Sequence, residues 1–507
     1  MTRKRTKRRM FAALGVSLAL VGCRGSDDDD AVEDAEVTTA GGAEAPAATG
    51  APAATAAAPA ATTGADGTTA GSEGTAAGSE ETTAGSEATT AGSEGTTAGS
   101  EGTAAASEGT GAMAPEVDCP DEEPGLSDTE IVLGGTYPLS GPVAAYGVIP
   151  VAIDAWFKHL NDTQGGITAG DGVTRKITWT YLDDQYAPPK SLENVRSLVE
   201  QEGVWLVFNP LGTPPNLAIR DYMNEAEVPQ LYVATGASTW GRDIEQYPWT
   251  IGYQPDYESE GIAYAQYALS ENPDATIAVV YANDDFGKDY VTGIKQGLGD
   301  NADQLISEIT YETTDATIDS QVSQALGQDP DVFMLIATPA FAIQGINQTQ
   351  ALGYEGIKIV TSVSSSPGAV MNNVNAGAAD DWVTSVYAKD PTDPAMADDP
   401  AVQEYKDILA QYAPDANPDD TFSLYGMGVA QLFQHTLESM PTVCRAAIME
   451  AAKHLSWDDP PLLLDGITIE TNVPGDGFPI QQVQLQRWTG DQYEKFGEIL
   501  DAAELNE

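Results

Sequence analysis

From residue 131 onward, short apolar runs alternate with amphipathic stretches, and the alternation is run through twice. Residues 131–135 read as a strand and 143–160 as a helix ended near Gly165-Gly166. Strands follow at 177–181, 204–208 and 230–233, with helices at 191–200 and 216–225 between them. The pattern then restarts. Residues 276–281, 305–310, 332–336 and 357–361 read as strands, and 288–297, 318–326 and 340–352 as helices. Repeated βα units predict a parallel sheet covered by helices on both faces. Two successive runs predict two Rossmann-like lobes. Long helices are expected at 402–412 and 422–439. Residues 481–488 and 493–499, around Thr489-Gly490-Asp491, read as a β-hairpin.

The first 116 residues follow other rules. Six basic residues between Arg3 and Arg9 precede an apolar run, 10–22, too short to span a bilayer. This is the form of a signal peptide, residues 1–22. It ends Leu20-Val21-Gly22-Cys23, which resembles the bacterial lipobox and implies lipidation of Cys23. Arg8-Arg9-Met10-Phe11 resembles a twin-arginine signal, so both export routes stay open. Residues 23–116 are rich in Ala, Thr, Gly, Ser and Glu, with a seven-residue repeat from Thr68. A coiled coil is excluded because no seam position carries Leu, Ile or Val. A segment with so little apolar surface is expected to stay disordered and act as a tether.

Acidic residues number 77 against 23 basic ones, a formal net charge of −54. That balance argues against nucleic-acid binding, which needs cations to displace counterions from phosphates. Of the 3 cysteines, Cys119 and Cys444 remain after lipidation. In an exported protein they are expected to form a disulfide, the alternative being two buried thiols.

Three loops are candidates for ligand binding. In Asn209-Pro210-Leu211-Gly212-Thr213-Pro214-Pro215-Asn216, Thr213 reads as an N-cap and Pro214 as the first helical residue. Helix N-termini attract carboxylates, although a capped helix without a ligand fits as well. Gly236, Ala237 and Ser238 lie in a small-residue loop after a strand end, where ligands of open α/β sheets bind. Asp284, Asp285 and Phe286 follow the first strand of the second run; Asp285 could equally cap the next helix. Catalytic readings find little support. His159, His435 and His454 have no metal-ligand spacing, no Gly-x-Ser-x-Gly surrounds Ser238, and Asp183-Asp184 is a single acidic pair. No enzymatic activity, metal or cofactor is expected.

The segment Ile131 to Pro142, with its Leu139-Ser140-Gly141-Pro142 turn, resembles the start of the solute-binding proteins of branched-chain amino acid ABC transporters, the type I periplasmic-binding-protein fold. Asn161 with Gly165-Gly166-Ile167, Tyr181-Leu182-Asp183-Asp184, and 281–290 with Phe286-Gly287 carry the same resemblance over about 127–500. It implies lobe 1 at 127–253 plus 387–472 and lobe 2 at 254–386 plus 473–507. Three crossovers are implied, near Tyr253, Val386 and Val473. It implies a ligand carboxylate held near Thr213, Gly236 and Ser238, and Tyr146 and Phe286 covering the ligand from opposite lobes. One departure stands out. The loop at 362–366 lacks the acid that holds an α-ammonium in amino-acid binders, and the preceding loop begins at Thr338. Either Asp284 or Asp285 substitutes, or the ligand is not an α-amino acid.

The resemblance thus implies a lipid-anchored solute-binding protein outside the cytoplasmic membrane. It would capture a small polar solute (an amino acid, or a small carboxylate or amide) and deliver it to an ABC permease. The alternative is a ligand-sensing receptor subunit of the same fold.

Overall fold

A computed structural model describes residues 117–471 and 477–505. The signal peptide, Cys23, the tether and the crossover expected near Val473 lie outside these residues.

The first sheet holds β1 (Glu130–Tyr137), β2 (Ile167–Thr168), β3 (Thr174–Asp183), β4 (Leu206–Phe208), β5 (Gln230–Val233) and β6 (Thr250–Gly252). Their order is β2-β3-β1-β4-β5-β6, parallel except for the short β2–β3 pair. Helices α1 (Ile149–Thr163), α2 (Pro188–Ser197), α3 (Thr213–Glu225) and α4 (Thr239–Arg242) connect them. β4 and β5 are wholly buried, which explains their unbroken apolar runs. The helix expected at 143–160 starts instead as a 3₁₀ turn, Ala144–Val148, and continues as α1.

The chain then passes through α5 (Tyr257–Glu271) into the second sheet. That sheet begins with β7 (Ile277–Ala282), β8 (Leu305–Tyr311), β9 (Val332–Ile336), β10 (Ile357–Val360) and β11 (Trp382–Val386). Helices α6 (Asp285–Leu298), α7 (Asp319–Leu326) and α8 (Pro339–Ala351) link successive strands. After β11 the chain returns to the first core with α9 (Pro400–Tyr412), α10 (Thr421–Ser439) and α11 (Arg445–Ala452). A ribbon follows, β12 (Ser456–Trp457) with β13 (Ile469–Glu470). The hairpin β14 (Gln482–Trp488) and β15 (Tyr493–Asp501) then completes the second sheet as β15-β14-β11-β10-β9-β7-β8. Each sheet has its own large apolar core. The fold is α/β with two Rossmann-like lobes.

Helix α5 is invisible to periodicity because most of its positions are buried, so apolar and polar residues do not segregate to opposite faces. It packs backbone-to-backbone on α6 through glycine. A Cβ on Gly293 would lie 2.0 Å from the Glu258 carbonyl oxygen. Gly293→Ala is therefore expected to destabilise the protein by about 1–3 kcal/mol through forced separation of the helices. A denaturant midpoint unchanged from wild type would refute this close approach.

Cys119 and Cys444 are joined, with Cα atoms 5.8 Å apart, inside the span a disulfide requires. Nearby, the Glu123 carboxylate accepts from Trp205 Nε1 at 2.8 Å and from the Arg445 N–H at 2.9 Å. Arg445 in turn donates to the carbonyls of Trp205 and Val204. The chain entering the lobe is thus fastened to both the first sheet and α11.

Candidate functional site

The carboxyl ends of the parallel strands from both sheets open onto one cavity. The first-sheet side supplies Tyr146, Tyr186, Gly212, Thr213 and Ala234, with Phe422 and Tyr425 from α10. The second-sheet side supplies Phe286, Thr338, Ser362, Val363 and Ser365, with Gln486 and Tyr493 from the hairpin. Gln254, Tyr257 and the stretch Val386 to Asp390 come from the segments that pass between the cores.

Eight aromatic side chains from both lobes line this wall. Tyr146 packs on Phe422 with ring centroids 4.8 Å apart, and Tyr257 meets Phe286 edge-on at 5.2 Å. The Tyr186 ring lies against Gly212, where a Cβ would come within 2.3 Å of it; Gly212 also has φ +97°, so glycine is required there twice over.

Hydrogen bonds cross the cleft at several places, Lys495 Nζ to Asp393 Oδ2 at 2.7 Å among them. Tyr146 donates its hydroxyl proton to the Val363 carbonyl at 2.7 Å. Ser366 Oγ donates to Asp420 Oδ1 at 2.8 Å, and the same oxygen caps α10 through the Phe422 N–H. The Ser238 N–H donates to Asp289 Oδ2 at 2.9 Å. With these contacts made, the two lobes are closed on the cavity.

Of the residues singled out from sequence, Tyr146, Thr213, Phe286 and Thr338 line the cavity together. Gly236, Ala237, Ser238, Asp284 and Asp285 are not among its lining residues. Gly236 packs against the passage between lobes: its carbonyl accepts from the Tyr257 N–H at 2.7 Å, and a Cβ would meet Pro255 O at 2.1 Å. Ala237 is buried with Val233 and Trp240. Ser238 donates its hydroxyl to Asp256. Asp284 accepts from the Gly287 N–H and caps α6, the role the sequence assigned to Asp285. Burial with few compensating donors raises the Asp284 pKa to about 6. Asp285 is exposed beside Lys288.

Thr213 is not an N-cap. Gly212 occupies that position and Thr213 is the first helical residue, its hydroxyl paired with that of Thr235. Pro214 and Pro215 follow and carry no N–H. The end of α3 therefore offers the cavity one helical N–H, on Thr213, where an ordinary helix offers several.

Two carboxylates near the site have structural work. Asp183 accepts from the N–H groups of Leu139 and Ser140 and from the Ser140 hydroxyl, holding the Leu-Ser-Gly-Pro turn in place. Glu260, 1% exposed, lies behind Ser362 and Ser385, accepting from both hydroxyls and from Tyr264. Burial pushes its pKa up against the pull of those donors.

Sequence reasoning missed Tyr186, Tyr387, Phe422, Tyr425, Gln486 and Tyr493. Tyr186 follows the Asp183-Asp184 strand end and Tyr387 adjoins the expected second crossover, so position was a usable signal for both. The other four come from a helix and a hairpin remote in sequence, and nothing local marks them.

A family model described as periplasmic binding protein matches residues 130–493. No curated protein matches the chain. Among solved structures, a branched-chain amino acid ABC transporter protein from Thermus thermophilus with bound valine is 14% identical. It has a TM-score of 0.63, with 75% of this chain and 98% of that one covered. A solute-binding protein from R. palustris in complex with benzoate is 19% identical, with a TM-score of 0.59, covering 73% and 96%. A fatty acid ABC transporter substrate-binding protein from Thermomonospora curvata is 19% identical, with a TM-score of 0.61, covering 76% and 95%. At these identities the likeness is one of fold.

Proposed function

The chain belongs to the periplasmic binding protein family, and on that premise we propose that it captures a small-molecule solute between its lobes and delivers it to an ABC permease. The observation that carries this reading is the closed aromatic cavity at the strand ends of both sheets, bridged by Tyr146 and Val363. The segments at 253–257 and 386–390 pass between the cores beside the cavity and serve as hinge strands. The solute binds one lobe, the hinge bends, and the cross-cleft hydrogen bonds form. Closure is favoured only by as much as the solute prefers the closed state. The closed form is what the permease recognises. On this reading export follows the signal peptide, and the lipid on Cys23 with the 23–116 tether holds the protein at the outer face of the cytoplasmic membrane.

The test is mass spectrometry of the small molecules released when full-length protein, incubated with cell extract and washed, is denatured. A stoichiometric solute supports the reading. Its absence, with no thermal stabilisation by amino acids, their deaminated acids or short amides, would overturn it. A bound solute at ~100 times its dissociation constant adds about 2.7 kcal/mol, readily seen in the melting temperature.

Tyr146→Phe removes one cross-cleft hydrogen bond while keeping the ring on Phe422. Such a bond contributes about 1 kcal/mol. Affinity for the recovered solute is expected to weaken by roughly fivefold by calorimetry. An unchanged constant would mean the bond contributes nothing to closure.

A further inference from the structure

The cavity wall is unusual in what it does with charge. Among the described residues its charged side chains are Lys389 and Asp390, neighbours on the segment leaving β11. Lys389 Nζ donates to Asp399 Oδ2 at 2.7 Å. Asp390 Oδ1 accepts from the N–H and the hydroxyl of Thr392. Pro214 and Pro215 leave the α3 terminus a single N–H, and Glu260 is screened from the cavity by the serine hydroxyls it binds. A carboxylate finds no free cation among the described wall residues, and burying one unpaired costs several kcal/mol. Asp390, whose side chain accepts from Thr392 alone among the described residues, leaves a neutral or cationic group as the polar partner this wall can meet.

The wall does hold polar side chains that are buried and unpaired. Thr338 is 3% exposed and its hydroxyl makes no hydrogen bond of good geometry, the Tyr311 hydroxyl beside it accepting from the Thr338 N–H at 3.1 Å. Gln486 is 4% exposed, and its side-chain amide makes no hydrogen bond among the described residues. Both line the cavity. They sit far apart. Thr338 follows β9 and Gln486 lies in β14, and β10 and β11 come between these strands. Three strand spacings put them about 14 Å apart across the sheet. Aromatic rings from both lobes line the same cavity.

Building on the solute-binding reading, we propose that the ligand is an elongated amphiphile without a carboxylate, whose two polar ends are read by the Thr338 hydroxyl and the Gln486 amide. A buried donor or acceptor left without a partner is costly, so each end selects a group that completes it. Gln486 offers both a carbonyl and an NH₂, which an amide-like end matches with two hydrogen bonds.

The test uses the full-length protein at pH 7 and straight-chain ω-hydroxyamides from four to twelve carbons, with the ω-hydroxyacids and α-amino acids of equal length, by calorimetry. Affinity for the amides is expected to peak at an intermediate length, where the extended chain plus a hydrogen bond of about 2.9 Å at each end spans ~14 Å, and to fall for shorter and longer chains. The best amide is expected to bind at least tenfold tighter than the four-carbon amide and than its matched acid. Gln486→Leu is expected to cut that length advantage at least fivefold, with the native circular dichroism spectrum kept. Thr338→Val, nearly isosteric, is expected to weaken the hydroxyamide more than the plain amide of equal length. Tightest binding by leucine, phenylalanine or any acid would overturn the inference and leave the solute-binding reading standing. So would failure of every probe while a solute is still recovered from extract. Failure of both probes and extract would overturn the reading beneath it.

Discussion

Replacing Cys119 and Cys444 together with serine is expected to lower the stability of the protein by about 5 kcal/mol. The bridge spans 325 residues, so its loss frees a very long loop in the unfolded chain. In the chain-entropy account a loop that long lies at the upper end of disulfide effects, about 5 kcal/mol. For a protein of this size the melting temperature should fall by on the order of 10 °C. The native fold should survive, since Glu123 still ties the same strand to Trp205 and Arg445. Solute affinity should not change, because neither cysteine lines the cavity. Calorimetric scans of the double variant beside wild type, with and without reductant, check both statements. A melting temperature insensitive to the substitution and to reductant would mean the two thiols are not joined in the folded protein.

The second large effect is pH dependence of closure. Asp289, on α6, accepts the Ser238 N–H across the cleft. Desolvation by burial raises its pKa to about 7, and the carboxylates of Glu258 and Asp256 add to the rise while Arg242 and the Ser238 N–H oppose it. In an open cleft the carboxyl returns toward the usual aspartate value near 4. Below that value both states are protonated, and closure carries no charge penalty from this group. Between roughly pH 4 and pH 7 the open state ionises while the closed state holds its proton, so closure is progressively disfavoured as pH rises. Above about pH 7 both are ionised and the penalty is constant. Solute affinity is thus expected to fall as pH rises from 5 to 7 and then level off. Asp289→Asn should flatten the profile, since an amide bears no charge in either state. A profile that keeps its slope in this variant would assign the dependence elsewhere.

Much of the fold was legible because burial writes itself into local sequence. Residues 230–233 and 332–336 are strands as expected, since a strand buried on both faces needs an unbroken apolar run. The hairpin around Thr489-Gly490-Asp491 is there for a related reason, a turn motif between alternating runs. Reading was weaker where burial surrounds an element. Helix α5 has no polar face, so its period vanished, although its glycine contact with α6 is among the tightest in the second lobe.

The site divides along the same line. The small-residue loop 236–238 follows a strand end as the sequence indicated, yet it is spent on contacts with Pro255, Tyr257, Asp256 and Asp289 rather than on the cavity wall. The acid at 284 went to a helix N-terminus because an aspartate placed there meets unpaired N–H groups one turn away.

By itself the sequence determined the class of architecture, the doubling of the βα run and the absence of an acid at 362–366. Each is a property of neighbouring residues, set by period, composition or identity. Only the tertiary structure decided what lines the cavity. Thr338 and Gln486, Tyr146 and Val363, and Ser238 and Asp289 lie far apart along the chain. They meet, or share one cavity, because the packing of two sheets and the bend of the strands between them place them there. No local pattern encodes that distance. It also left the described cavity wall without a free cation, since whether Lys389 is available depends on the partner, Asp399, that folding brings to it.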